Sequence, residues 1–284
     1  MVKLLTNLFK LRIGVIMAIT ALVALVVTPG QPVPVWQAAV LTIAVLLAAS
    51  SAGAFNQYYE RDLDGRMKRT RNRPFVTGEL TYNRWWLLVI TALLAVGVLG
   101  AAFTLNGMAA LHIFLGAFFY AIVYTVWLKR RTWLNIVIGG ASGSFAVLAG
   151  AAVVDPNLGA VPILLAIVLF LWTPSHFWSL AIAQHKDYAE AGVPMLPVVV
   201  GDKSAAKAIL GNTLLLVGIS ILPFFFGLGW LYLIGAILGG GYFIYWNIRL
   251  VQEPSRKVAM KSFFASLIQL VVLLIFAVVD SQLI

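Results

Sequence analysis

The chain has 284 residues, 62% of them hydrophobic and only 11% charged, where water-soluble domains carry about a quarter charged residues. That balance excludes a soluble globular protein. The absence of cysteine excludes disulfides, thiolate metal sites and haem attached through a CxxCH motif. A formal charge of +10 would fit nucleic acid in a soluble chain. In a membrane protein it reads as loop orientation, because cytoplasmic loops concentrate Lys and Arg, so no nucleic-acid partner is expected.

Apolar runs recur along the whole chain, and nine spans are predicted at about 13–28, 36–58, 85–105, 108–128, 133–153, 160–184, 207–227, 229–249 and 260–280, most of them long enough to cross a layer of roughly 30 Å as helices. The expected class is an all-α polytopic membrane protein, with one integral-membrane domain over 1–284. The first run is longer than a signal-peptide core, lacks a small-residue cleavage pattern and follows no Arg/Ser-rich leader, so it reads as the first span.

Alternate connections then divide the charges. The N-terminal tail (Lys3, Lys10, Arg12), the connections after spans 2, 4, 6 and 8, and the helix ends beside them hold all twenty Lys and Arg residues. The opposite side holds none, and its acids are Asp155 and Asp280. This segregation predicts a cytoplasmic N-terminus and an outer C-terminus; the expected location is the bacterial inner membrane, with the site on its cytoplasmic side. The outer connections are short and turn-like, such as Asn106-Gly107 and Asp155-Pro156-Asn157. The two long ones, roughly 59–84 and 185–206, lie on the cytoplasmic side, and connections of that length are usually functional or disordered. They follow spans 2 and 6, which suggests two four-helix halves plus a ninth helix. Gly139, Gly143 and Gly150 in span 5 and Gly239–Gly241 in span 8 read as packing devices.

The first long connection opens with the densest charge in the chain, Asn56 to Pro74, which includes Glu60, Asp62, Asp64, Arg66, Lys68, Arg69, Arg71 and Arg73. Asn56, Glu60 and Asp64 stand four apart, so on a helix they form one strip. Two carboxylates and an amide oxygen suit Mg²⁺, which is usually held by one or two carboxylates together with substrate phosphates. Asp62 faces elsewhere on such a helix and ranks second as a metal ligand. Arg66, Lys68, Arg69 and Arg73 supply forks and point charges for a diphosphate, although positive-inside bias alone explains some of them.

The second long connection brings His185, Asp187, Tyr188 and Glu190, then Pro194-Met-Leu-Pro197, a facing carboxylate and tyrosine for the same site. His176 in span 6 is either a ligand or a hydrogen-bonded core residue, since ionisable groups within a span are functional candidates by default. His112 in span 4 reads more readily as structural. Between spans 4 and 5, Tyr124 leads to Lys129, Arg130 and Arg131, and Asn135 lies one turn inside span 5. That basic turn either sets orientation or binds anion, and a polar Asn in the membrane needs a partner.

Assembled, these residues resemble the UbiA superfamily of intramembrane prenyltransferases, over nearly the whole chain. The superfamily's N-x3-D-x3-D motif is met by Asn56, Glu60 and Asp64, with Glu in the middle position. Within the superfamily the chain is similar to the branch that farnesylates haem. The features of that branch are the run Asp62–Pro74, the run Tyr124–Gly140, Pro174-x-His176-Phe177 and Asp187-Tyr188-x2-Ala191-Gly192-x-Pro194-Met-Leu-Pro197. The chain departs from many relatives after span 6, where Gln184 and Tyr188 take the positions of a second D-x3-D; a second two-carboxylate metal site is thereby in doubt.

The resemblance implies a reaction. Farnesyl diphosphate binds with its diphosphate on Mg²⁺ at the cytoplasmic helix ends and its chain in an apolar tunnel. Ionisation gives an allylic cation, the 2-vinyl group of haem b captures it, and water completes the hydroxyethylfarnesyl group of haem O. The residues implied are Asn56, Glu60 and Asp64 for metal and catalysis with Asp187 and Tyr188. For the diphosphate they are Arg66, Lys68, Arg69, Arg73, Lys129 and Arg130, and for haem they are His176, Asn135, Tyr124 and His185. Membrane lipid surrounds the site, and a haem-modifying oxygenase or a terminal oxidase assembly follows it. Two other readings stay open: the same fold acting on another aromatic acceptor such as a quinone precursor, and a secondary transporter of an anionic lipid or phosphate compound. A transporter should hold its ionisable residues near the bilayer midplane, whereas here they gather at one face.

Overall fold

The structure is a computed structural model that describes residues 2–283, with side chains from Leu4 onward; the side chain of Lys3 in the basic tail lies outside that description. Among the described residues nine long apolar helices run in sequence: α1 (Leu11–Val27), α2 (Val35–Tyr59), α3 (Trp85–Thr104), α4 (Gly107–Leu128), α5 (Asn135–Val154), α6 (Ala160–Ala183), α7 (Asp202–Phe226), α8 (Trp230–Gln252) and α9 (Arg256–Ser281). Eight are long and apolar enough to cross a membrane, and α1, with 17 residues, stands at the lower end of the spanning range. No strand occurs among the described residues.

The helix ends differ from the predicted ones in an instructive way. α7 starts at Asp202 and α9 at Arg256, ahead of their apolar runs. Ser255 caps α9 by accepting from the Val258 amide, and the first polar turn precedes the part that lipid requires to be apolar. At the other end of the bundle, Asp280 is 3% exposed. Its carboxylate accepts from the backbone amides of Gly229 (2.5 Å), Leu231 (3.1 Å) and Tyr232 (3.2 Å). The last helix thereby caps the N-terminus of α8, where an anion is favoured.

Helices adjacent in the chain pack on one another, α5 closes back on α1 and α4, and α9 lies against α8 and α6 and reaches α1. Small residues permit this. A side chain at Gly150 would collide with the Ala21 backbone of α1, and one at Gly239 would press on the Gln269 backbone of α9. Outward faces carry Leu88, Val96, Leu99 and Phe103 exposed, as expected of helices solvated by lipid.

The second half is joined by a buried polar network. Asn212 donates to Leu171 O (2.6 Å) and Ser175 Oγ (2.7 Å), Thr213 donates to Ser175 (3.0 Å) and accepts from Asn247 (2.9 Å). Ser262 donates to Asn247 (2.5 Å) and lies 2.9 Å from Ser179. Helices α6 to α9 are thus linked where lipid offers no other partners.

The long connections are ordered. Short helices Arg61–Arg66 and Pro74–Thr77 occupy the first, and His185–Glu190 and Leu196–Val200 the second. The backbone amide of Lys68 donates to Asp187 Oδ1 at 2.8 Å, so both connections meet at one end of the bundle.

Candidate active site

α2 ends at Tyr59, and Glu60 (φ −95°, ψ 15°) joins it to the helix Arg61–Arg66. The bonds from Glu60 N to Asn56 O (3.0 Å) and from Asp64 N to Glu60 O (2.8 Å) carry the four-residue repeat through this joint. Asn56, Glu60 and Asp64 therefore stay on one strip, and all three are buried, at 2%, 0% and 1% exposed.

Buried carboxylates need cations and donors, and these come from three other elements. Lys129, from the α4–α5 turn, pairs with Glu60 Oε2, which also accepts from Asn56 Nδ2 (2.8 Å). Arg73 pairs with Asp64 Oδ2 at 2.6 Å. Lys10, just before α1, donates to Asn56 Oδ1 (2.5 Å) and to the Tyr120 hydroxyl (2.8 Å). Asn56 Nδ2 also donates to Thr125 (3.0 Å). Glu60 Oε1 is buried with no partner.

Lys10 and Thr125 are the residues that sequence reasoning missed. Lys10 adopts a left-handed backbone (φ 47°, ψ 42°), a strained choice for a residue with a side chain that tends to mark functional sites. Gly53 on α2 leaves room for its stem. Burial holds its ammonium well below the usual lysine range, with Arg73 and Lys129 adding to the effect. The sequence showed only one more basic residue in a basic tail.

Thr125 and Tyr120 depend on a local departure from α-helix. Residues Phe119–Leu128 of α4 form a π-helix, with the Lys129 amide bonded to Tyr124 O at 2.9 Å. In an α-helix, nine steps of about 100° would put Tyr120 and Lys129 on opposite faces. The wider i→i+5 turn brings Tyr120, Thr125 and Lys129 to the acids together. Tyr124 stacks on Tyr120 (centroids 5.6 Å, 19°) and lies 5.7 Å from the Lys129 ammonium.

The remaining predicted residues separate into groups. Asp62 is turned out to solvent, where Arg130 grips it with two bonds of 2.6 and 2.8 Å; that hydrogen bonding holds the carboxyl below its usual range. Arg66, Lys68 and Arg69 are exposed. Asp187 receives the Lys68 amide, Tyr188 is buried in an apolar cluster with Leu63 and Met67, and His185 Nδ1 lies 2.7 Å from Asp202. Asn135 is the first residue of α5, not one turn inside it. The helix begins later than the apolar pattern because a turn occupies residues 129–134. Its Nδ2 reaches Lys129 O (3.4 Å) while its Oδ1 has no partner. His176 stands apart from the acids. It is held between Trp172 (4.2 Å) and Phe263 (4.3 Å), with Nδ1 2.7 Å from Ser266. His112 bonds its own helix at Met108 O.

Deep in the bundle, Thr20, Val23, Val147, Leu165, Leu169 and Leu273 line an apolar cavity of about 10 Å³. That is far below the volume of a prenyl chain, so a tunnel there requires these side chains to move.

Buried acids and converging cations thus gather at one end of a membrane bundle. The chain belongs to the UbiA prenyltransferase family, whose model matches residues 17–268. It is 57% identical to Protoheme IX farnesyltransferase 2 of Paramagnetospirillum magneticum, over 98% of this chain and 96% of that one. It is 47% identical to Protoheme IX farnesyltransferase 1 of the same organism, over 97% of each. Among solved structures, its fold is similar to one concerning digeranylgeranylglyceryl phosphate synthase (TM-score 0.84, 18% identity, 100% and 99% covered). It is also similar to a UbiA homologue from Archaeoglobus fulgidus bound to DMAPP and Mg2+ (TM-score 0.72, 17% identity, 95% and 99% covered).

Proposed function

We propose that this protein transfers the farnesyl group of farnesyl diphosphate to a vinyl group of haem b, giving haem O, at the cytoplasmic face of the bacterial inner membrane. The observation that carries this reading is 57% identity over almost the full length to a relative named for that activity. The buried acid strip with its three cations supports the chemistry.

The residues fit a divalent cation. Glu60 presents a buried oxygen without a partner, beside Asn56 Oδ1 and the Asp64 carboxylate. Among the described residues no three His, Asp or Glu side chains stand together as a metal group; Mg²⁺ is usually held by one or two carboxylates, with substrate phosphate and water completing its shell. Glu60, Asp64 and Asn56 would hold it, and when bound it neutralises charge on the diphosphate.

The chain's own groups do the rest. Arg73, Lys129 and Lys10 face the same strip and stabilise the leaving diphosphate as the C1–O bond breaks and the bonding pair departs with oxygen. The stacked rings of Tyr120 and Tyr124 offer faces to the allylic cation, and the bundle keeps it from bulk water. The vinyl terminus forms the new bond to C1, and water then adds to the cationic carbon beside the porphyrin and loses a proton. Haem O passes to a haem-modifying oxygenase.

The test is purified protein with haem b, farnesyl diphosphate and Mg²⁺, with and without chelator, analysed for haem O. Product should form, stop with chelator, and fall about 100-fold with Asp64→Asn, the scale of losing one transition-state charge contact. Unchanged haem b with the wild-type protein refutes the reading.

A further inference from the structure

A second cavity, of about 540 Å³, opens between the two long connections and the start of α9, within the size range of small-molecule sites. Lys68 and Arg69 line it from the first connection, Lys186 and Asp187 from the second, and Asp202 and Arg256 from the starts of α7 and α9. Ile182 and Ala183 form its apolar side and belong to the packed cluster around Trp178 and Tyr188.

Its charges are unevenly satisfied. Asp187 is engaged by the Lys68 backbone amide and Asp202 by His185. Among the described residues none of Lys68, Arg69, Lys186 and Arg256 has a carboxylate within ion-pair distance. Four cations against two carboxylates leave two positive charges in excess, beside an apolar wall.

We infer that this cavity binds the two propionate carboxylates of the haem acceptor. The inference rests on the farnesyl-to-haem reading and adds to it the place where the acceptor is gripped. The propionates lie on one edge of the macrocycle, away from the reacting vinyl group, and their two negative charges match the excess. The ring beyond them is apolar, as is the wall of Ile182 and Ala183. The acid strip suits a metal-bound diphosphate better than the cavity does, because there Glu60 keeps a buried, unpartnered oxygen beside Asp64 and Asn56. The first connection serves both sites: Arg73 turns to Asp64 while Lys68 and Arg69 turn to the cavity. Acceptor and donor are then held by one segment, which fixes their separation.

The test uses Arg256→Gln and Lys186→Gln, made singly at exposed positions, with haem b and its dimethyl ester as alternative acceptors. Loss of a charge-assisted contact should raise KM for haem b by about tenfold, equivalent to about 1.4 kcal/mol, in at least one variant, with KM for farnesyl diphosphate unchanged. The dimethyl ester should show a raised KM with wild-type protein and no further rise with that variant. A matching rise in KM for farnesyl diphosphate instead would assign the cavity to diphosphate and overturn the inference. So would unchanged haem KM in both variants, or a wild-type protein that takes ester and haem b alike. In each of those cases haem O is still made and the farnesyl-to-haem reading stands; a wild-type protein that makes none overturns both.

Discussion

Replacing Glu60 by Gln keeps the side chain's shape and removes its charge, which separates its possible duties. Glu60 is fully buried, and its partner Lys129 is 12% exposed. Breaking such a pair costs about 3–5 kcal/mol, because one charge is left buried and unpaired. Lys129 sits near the bundle end and can turn partly to water, so the low end, about 3 kcal/mol, is expected. The amide still bonds Asn56 or Lys129 with its oxygen, so the strip keeps its geometry. The assays are thermal unfolding of the purified protein and steady-state turnover at saturating Mg²⁺. Glu60→Gln should unfold several degrees lower and lose turnover by about 100-fold. The double variant Glu60→Gln with Lys129→Gln should recover much of the stability, since neither charge remains, and none of the activity. A Glu60→Gln protein that is destabilised yet turns over at nearly the wild-type rate would refute a role in catalysis, and leave Glu60 as the counter-ion of Lys129 alone.

Two further predictions concern residues outside the metal strip. Lys10 has its pKa lowered by burial, so the unfolded chain binds more protons between the folded value and the unfolded value near 10.4, and stability gained from this group rises with pH through that window. The difference in unfolding temperature between wild type and Lys10→Met should therefore shift in favour of wild type as pH increases toward 10; a flat difference would show that the ammonium is not buried. Asn247→Leu removes the link between Thr213 and Ser262 in the α6–α9 network and should cost about 1–2 kcal/mol, given roughly 0.6 and at most 1.7 kcal/mol per polar contact in membranes, without changing either KM. A change in substrate KM larger than the loss of stability would move this network into the site.

The sequence was informative wherever a property is local. Apolar run length marked the helices, because lipid demands continuous apolar surface over a fixed thickness. The spacing of Asn56, Glu60 and Asp64 predicted one strip, and the helix joint at Glu60 preserves it. Asp62, two residues from Glu60 and two from Asp64 and so about 200° around a helix from each, ended on the solvent side with Arg130. His176 was ambiguous in sequence because a ligand and a packed core imidazole look alike there; in the fold it is stacked between two aromatic rings.

What the sequence by itself determined is the class, the apolar helices, the gathering of Glu60 and Asp64 on one strip, and the family pattern. Only the tertiary structure decided which cations meet those acids. Lys10 joins Asn56 across 46 residues and Tyr120 across 110, and nothing in a run of basic tail residues specifies either contact. The π-helical turn of α4 likewise brings Tyr120, Thr125 and Lys129 to one side, against the register that an α-helix would impose. Helical periodicity is written into neighbouring residues, whereas the partners of a buried charge are chosen by how separate helices pack, and that choice is made where leaving a charge unpaired would cost most.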